Sequence, residues 1–250
     1  MLISPAPSRS GLDTKNRDHI LSITILGNAK WVVEESTMRN KTISACWKIT
    51  PIMLALIGTA NANEHLRFQV YLDEKPIGEH SFRISDTADL TRVSSSAAFD
   101  VDFLFVNVYR YRHDSREVFR DGCLQEIRAT TNDNGTRYRV EGEATGKQFR
   151  IERGDGMEQT EGCLKTFAYW DPGFLDQKRL LNAQTGKLEH VSVRPKGSDR
   201  VQVGGRAVPA TRYALSADDL SIDLWYNDEL GWVGLASDTG KAGRLVYRRM

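Results

Sequence analysis

The chain has 250 residues, of which 40% are hydrophobic and 27% charged, with a formal net charge of +1. That balance excludes a disordered polymer and a bundle of membrane-spanning helices. No basic stripe of the kind phosphate backbones attract is present, which excludes nucleic acid as a partner.

The first organised signal begins at Met38. Arg39, Lys41 and Lys48 supply a positive n-region, a short apolar run follows from Ile52 to Ala60, and Ala60-Asn61-Ala62 forms an A-x-A cleavage site. The run is too short to span a bilayer. These three parts, in order, predict a secretory signal peptide over 38–62, cleavage after Ala62 and delivery to the periplasm. Residues 1–37 then read as an upstream mis-start or a disordered extension. Ile43-Ser44-Ala45-Cys46 resembles a lipoprotein box, but it precedes the apolar run and is out of reach of a processing enzyme beyond the membrane. Removing the first 62 of 250 residues leaves 188. That length suits one sizeable core, so 63–250 is expected to be a single β-rich domain without a transmembrane span. Seven of the 34 basic and four of the 33 acidic residues leave with the first 62, so the exported part is slightly acidic.

Downstream the pattern is strand after strand. His65–Leu72 alternates apolar and polar residues, Asp73-Glu74-Lys75-Pro76 makes a turn, and Ile77–Ile84 completes a hairpin. Alternation resumes from Val101 to Arg112, extends through Glu117–Arg120, and continues in Cys123–Ala129 and Thr136–Gly142 around the turn at Asn134-Gly135. Further strands are expected at 148–153, 188–194, 201–203, 206–215, 220–226, 232–237 and 244–248. One helix interrupts the series near 172–182, with Asp171 as cap and Pro172 at its first position. The fold class is therefore all-β, a curved antiparallel sheet or open barrel-like meander with one short helix.

Cys46 leaves with the signal, and Cys123 and Cys163 remain. An even count in an oxidising compartment reads as a disulfide, with two buried thiols or a redox pair as the alternatives. It would close a loop of 40 residues, worth roughly 4 kcal/mol in the chain-entropy model.

No G-x-S-x-G elbow, H-E-x-x-H, Walker loop or dinucleotide fingerprint occurs, and no cofactor or metal is expected. His113, Asp114 and Glu117 form the densest polar group. At strand spacing His113 and Glu117 share a face, which suits a metal or acid–base role, although a solvated strand end would look the same. Tyr169, Trp170 and Asp171 could line a pocket mouth or anchor a core beneath a cap. Trp225, Tyr226 and Trp232 flank a turn, where Trp225 and Trp232 could pair across strands.

Gly-Cys-Leu at both cysteines, Phe167-Ala168-Tyr169-Trp170-Asp171-Pro172, Leu180-Leu181-Asn182-Ala183-Gln184-Thr185-Gly186, Leu224-Trp225-Tyr226 and Leu245-Val246-Tyr247-Arg248 resemble a domain-of-unknown-function family of exported proteobacterial proteins. The resemblance covers about 64–249. It implies no activity. At greater distance it resembles periplasmic β-rich proteins whose curved sheets hold lipid or help handle the envelope. The expectation is a non-enzymatic periplasmic binder of lipid or another apolar cell-envelope molecule. An envelope hydrolase or lipid-modifying enzyme, and a structural or assembly partner, are the alternatives.

Overall fold

The computed structural model describes residues 62–250, apart from 88, 104–105, 218–219 and 241–242. The signal peptide expected over 38–62, save Ala62, and the residues before it lie outside the described residues.

Fifteen strands are described: β1 (Ala62–Leu72), β2 (Lys75–Asp86), β3 (Thr91–Phe103), β4 (Val106–Arg120), β5 (Cys123–Asp133), β6 (Thr136–Thr145), β7 (Gln148–Arg153), β8 (Gly156–Glu161), β9 (Arg179–Leu181), β10 (Leu188–His190), β11 (Ser192–Val203), β12 (Arg206–Ala217), β13 (Leu220–Asn227), β14 (Gly231–Asp238) and β15 (Arg244–Arg249). Thirteen form one sheet in the order β11-β12-β13-β14-β15-β1-β2-β3-β4-β5-β6-β7-β8, and β9 pairs with β10 separately. Neighbours in the large sheet pair antiparallel throughout, so it is two meanders stitched together where β1 meets β15. It does not close, because β8 and β11 end it without meeting each other.

Tight turns join the strands. Asp73-Glu74, Asp121-Gly122 and Asn134-Gly135 have positive φ at both central positions, the twist-matched geometry of two-residue hairpins. Gly78 sits at a bulge opposite Val70/Tyr71 with φ of +149°, and an added Cβ would lie 1.9 Å from the Ala98 carbonyl oxygen. Only glycine fits there.

Alternation places Leu66, Phe68, Val70, Phe82, Ile84, Phe99, Tyr111, Phe119, Ile127, Leu224, Leu235 and Tyr247 on the inner face. The interior is filled by the connection between β8 and β11, a strap running from Leu164 to Val191 that includes β9 and β10. Its Phe167, Ala168, Tyr169, Phe174, Leu180 and Leu181 are fully buried. Burying large side chains of this kind yields about 1.5–3 kcal/mol each before entropy is counted. The strap also reads as sheet at both ends: the Leu124 N–H donates to the Leu164 carbonyl, and the Leu181 N–H to the Lys165 carbonyl.

β14 is buried on both sides. Trp232 and Leu235 face the core, while Val233 and Ala236 are buried outside it. The β11–β12 hairpin folds back over that outer side, where the Trp225 indole N–H donates to Asp199 at 3.0 Å and Val201 lies against Gly234.

Three local expectations are corrected. The helix over 172–182 is reduced to one 3-10 turn at Pro172–Phe174, and residues 179–181 are strand. Asp171 does cap that turn, accepting the Gly173 N–H, but the chain then extends because β9 must pair with β10. The alternating run from Val101 to Arg112 is two strands, since Phe103 pairs back with Val106. Finally, a bulge between Trp225 and Tyr226 puts Trp225 opposite Gly234 and Tyr226 opposite Trp232, so the two tryptophans do not pair.

Candidate functional site

The inner face has two chemically different halves. On one, Phe68, Trp232, Tyr247, Tyr169 and Phe174 pack edge and face. Phe68 and Trp232 lie 4.0 Å apart between ring centroids, Tyr169 and Trp232 5.2 Å, and Tyr169 and Phe174 6.2 Å. Tyr226 joins them by donating its hydroxyl to the Tyr169 carbonyl at 2.9 Å. Of the aromatic residues read from sequence, Tyr169, Tyr226 and Trp232 thus come together, as parts of a packed core. Trp170 turns its edge toward Phe119, at 6.0 Å. Trp225 is on the outer face, with the Arg212 guanidinium over its ring at 5.6 Å.

The other half lies on β2–β5. Registers align His80, Ala97, His113 and Thr131 in one row across four strands, and Phe82, Ser95, Ser115 and Ala129 in the next. The small residues leave room for the large polar ones. His80 Nε2 hydrogen-bonds Ser95 Oγ at 2.7 Å, and His80 Nδ1 the Tyr247 hydroxyl at 3.3 Å. His113 Nδ1 hydrogen-bonds Thr131 Oγ1 at 2.8 Å. Glu117 accepts from Ser115 at 3.1 Å and from Thr166 of the strap at 2.7 Å. Tyr111 donates to Gln184, also of the strap, at 3.0 Å.

His113 and Glu117 do share a face, and it is the buried one, each being no more than 2% exposed. Asp114 alternates onto the exposed outer face. Burial sets the charges inside. It holds the His80 imidazole well below its ordinary range, with His113 nearby acting the same way. It pushes His113 down to about 4. It raises Glu117, against the lowering effect of the Thr166 and Ser115 hydrogen bonds. It raises Asp171 to about 7, opposed by the Gly173 N–H and by Lys165. All four are driven toward the neutral form, as desolvation requires. His113 Nε2, Trp170 Nε1 and Asp171 Oδ2 are buried without a hydrogen-bond partner among the described residues.

A histidine touching a serine is a nucleophile–base arrangement in outline. Here both residues are buried, and the carboxylate on the same inner face, Glu117, is held by hydroxyls instead of orienting a histidine. The charged groups acting on Asp171 are Lys165 and Asp86. Among the described residues no group of three or more His, Cys, Asp or Glu is arranged to hold a metal ion. No helix there is long and apolar enough to cross a membrane.

Sequence reasoning did not place His80, Ser95, Ser115, Thr131 and Thr166 in the site. The signal available was the serine run at 94–96 in a strand register, which low β-propensity hides.

Cys123 and Cys163 form a disulfide at the mouth of the strap, with Cα atoms 4.9 Å apart. Gly186 closes the far turn at φ +72°, packed against Arg153 and Val140, while the Asn182 side chain accepts the N–H groups of Gln184 and Thr185.

An unclosed antiparallel sheet wrapped about its own strap defines a β-barrel-like protein. The chain belongs to the family described as a domain of unknown function, DUF6134, whose model matches residues 68–250. Among solved structures it is similar to a β-barrel-like protein of domain of unknown function DUF1849 from Brucella abortus, with 9% identity and a TM-score of 0.50 over 77% of this chain and 98% of that one. That likeness is one of fold. No curated protein matches the chain.

Proposed function

We propose that this is an exported periplasmic protein that serves the cell envelope by binding at its surface, not by catalysis and not by carrying a ligand inside. The observation behind this reading is the strap. Phe167, Tyr169, Phe174, Leu180 and Leu181 occupy the inner face where a lipid or other apolar molecule would lie, and each is fully buried. The His80–Ser95 pair is itself buried, each residue being no more than 4% exposed, which keeps it from any substrate. Export is supported by the signal pattern over 38–62 and by the disulfide.

Lipid binding within the sheet is the second reading. It is favoured by the buried, unpartnered Trp170 Nε1 and Asp171 Oδ2, which show that the strap does not satisfy its surroundings completely. In that case the strap is the occupant that lipid displaces.

Native mass spectrometry of the protein taken from periplasm separates the two. The surface reading expects the mass of the bare chain beginning at Asn63. A retained lipid that is lost in a Phe174→Ala variant would replace it with the second reading. A chain that keeps Lys30-Trp31-Val32 would overturn the start at Met38.

A further inference from the structure

The outer face of β2–β5 carries a group of arginines, three of which have no partner among the described residues. One register row reads Arg83, Ser94, Arg116, Arg128 and Glu141 across five adjacent strands. Arg92 stands two residues from Ser94 on β3 and faces the same side. Arg116 and Arg128 are directly opposite each other, a like-charge pairing that destabilises a sheet. Several other outer arginines are matched, Arg67 with Glu79, Arg150 with Glu143 and Arg212 with Asp223, as is Arg139, at the border of this group, with Glu141. Arg83, Arg92 and Arg116 have no hydrogen bond or ion pair among the described residues, whereas Arg128 has only its neighbour Glu126.

These residues line an open concavity of about 760 Å³. Its floor is low because Ser81, Ser94 and Ser96 stand between the arginines. Five arginines line it, Arg139 being the fifth, against three outward carboxylates, Asp114, Glu126 and Glu141, which leaves an excess of two positive charges. Glu117 also borders it but points inward.

We propose that this concavity is a binding site for a soluble phosphorylated small molecule, with Arg83, Arg92 and Arg116 as its anion-holding groups. Guanidinium forks match phosphoryl oxygens in pairs, and unsatisfied forks around hydroxyls await such an acceptor. Arg83 and Arg116 are separated by two strand spacings, roughly 10 Å between backbones. Their long side chains can therefore grip two linked phosphoryl groups from opposite sides. A concavity of this size fits a small molecule, whereas a flat membrane surface cannot enter it. The proposal rests on the surface-binding reading above, and names its ligand class.

The test is calorimetric titration of the exported chain with inorganic pyrophosphate at low ionic strength. Saturable 1:1 binding is expected, weakened about tenfold or more by Arg116→Gln and by Arg83→Gln, in line with the loss of one charge-assisted contact. Arg150→Gln, on the same outer face but paired with Glu143, should bind as the wild type does. Neither concavity variant should melt lower, since each removes a repelled charge. Absence of saturable binding, equal weakening by Arg150→Gln, or binding only to phosphatidylglycerol vesicles would overturn the proposal. Its failure is distinct from failure of the surface reading: a lipid held inside would be retained by Arg116→Gln and lost by Phe174→Ala.

Discussion

The two halves of the interior are built on different principles. Around Phe68, Trp232 and Tyr169 the core is aromatic, and its stabilisation comes from buried area and close packing. Across β2–β5 the core is made of histidines, hydroxyls and a carboxyl hydrogen-bonded to one another, with His113 Nε2 left over. The strap spans both, giving Tyr169 and Phe174 to the first and Thr166 and Gln184 to the second. The difference teaches that one half should be indifferent to pH and the other governed by it, although they share a sheet and a strap.

The largest effect is expected in the aromatic half. Trp232→Ala removes a 1%-exposed side chain that touches Phe68, Phe82, Tyr169 and Tyr247. Urea unfolding should show a loss of about 4 kcal/mol, nearly the same at pH 5 and pH 8. A strongly pH-dependent loss would erase the contrast.

The disulfide ranks next. Cys123→Ser with Cys163→Ser frees the strap at its entrance, and a loss of about 2–4 kcal/mol is expected at equilibrium. Hydrogen exchange should rise first in residues 164–191. If exchange rose evenly instead, the strap would not be the unit that the bridge secures.

Asp171 probes pH from the strap. Its carboxyl is raised to about 7 when folded and returns to the ordinary range when unfolded. Between about pH 4 and 7 the folded state therefore holds a proton that the unfolded state has released, and stability falls as pH rises through that window. Asp171→Asn keeps the cap and lacks the titration. It should be about 2 kcal/mol more stable than the wild type at pH 8, with the difference vanishing near pH 4. A constant difference would show that ionisation is not responsible.

His113 gives a smaller effect of opposite sign. Its imidazole is held near 4 when folded, so the unfolded state binds more protons between about pH 4 and 6.5, and stability is lost as pH falls through that range. His113→Gln retains a partner for Thr131 and should flatten this acid limb by about 1–2 kcal/mol. His80, depressed for the same reason, keeps part of the slope in place.

Much of the fold was legible locally. Period-two alternation found most strands because one face of each is buried, and the hairpin at Asn134-Gly135 announced itself by residues that accept positive φ. The first part of β3 was missed because Ser94 to Ala98 have little β-propensity. Of those small residues, the inward-facing Ser95 and Ala97 make room for His80 and His113, which belong to other strands. The helix expected over 172–182 failed for a related reason. Phe174, Leu175, Leu180 and Leu181 have helix-compatible spacing, but their burial is decided by the sheet around them and by the pairing of β9 with β10.

By itself, then, the sequence determined what is set within a few residues: an all-β chain, its turns, the cap at Asp171, the shared face of His113 and Glu117, and two cysteines available to each other. The tertiary structure decided which face is inside, because that depends on an unclosed sheet wrapping a strap about 50 residues beyond His113. It also decided that Tyr169 and Trp232 fill space instead of lining it. And it brought the unpaired Arg83, Arg92 and Arg116 from β2, β3 and β4 into one group, since register between strands is a long-range property that no single segment carries.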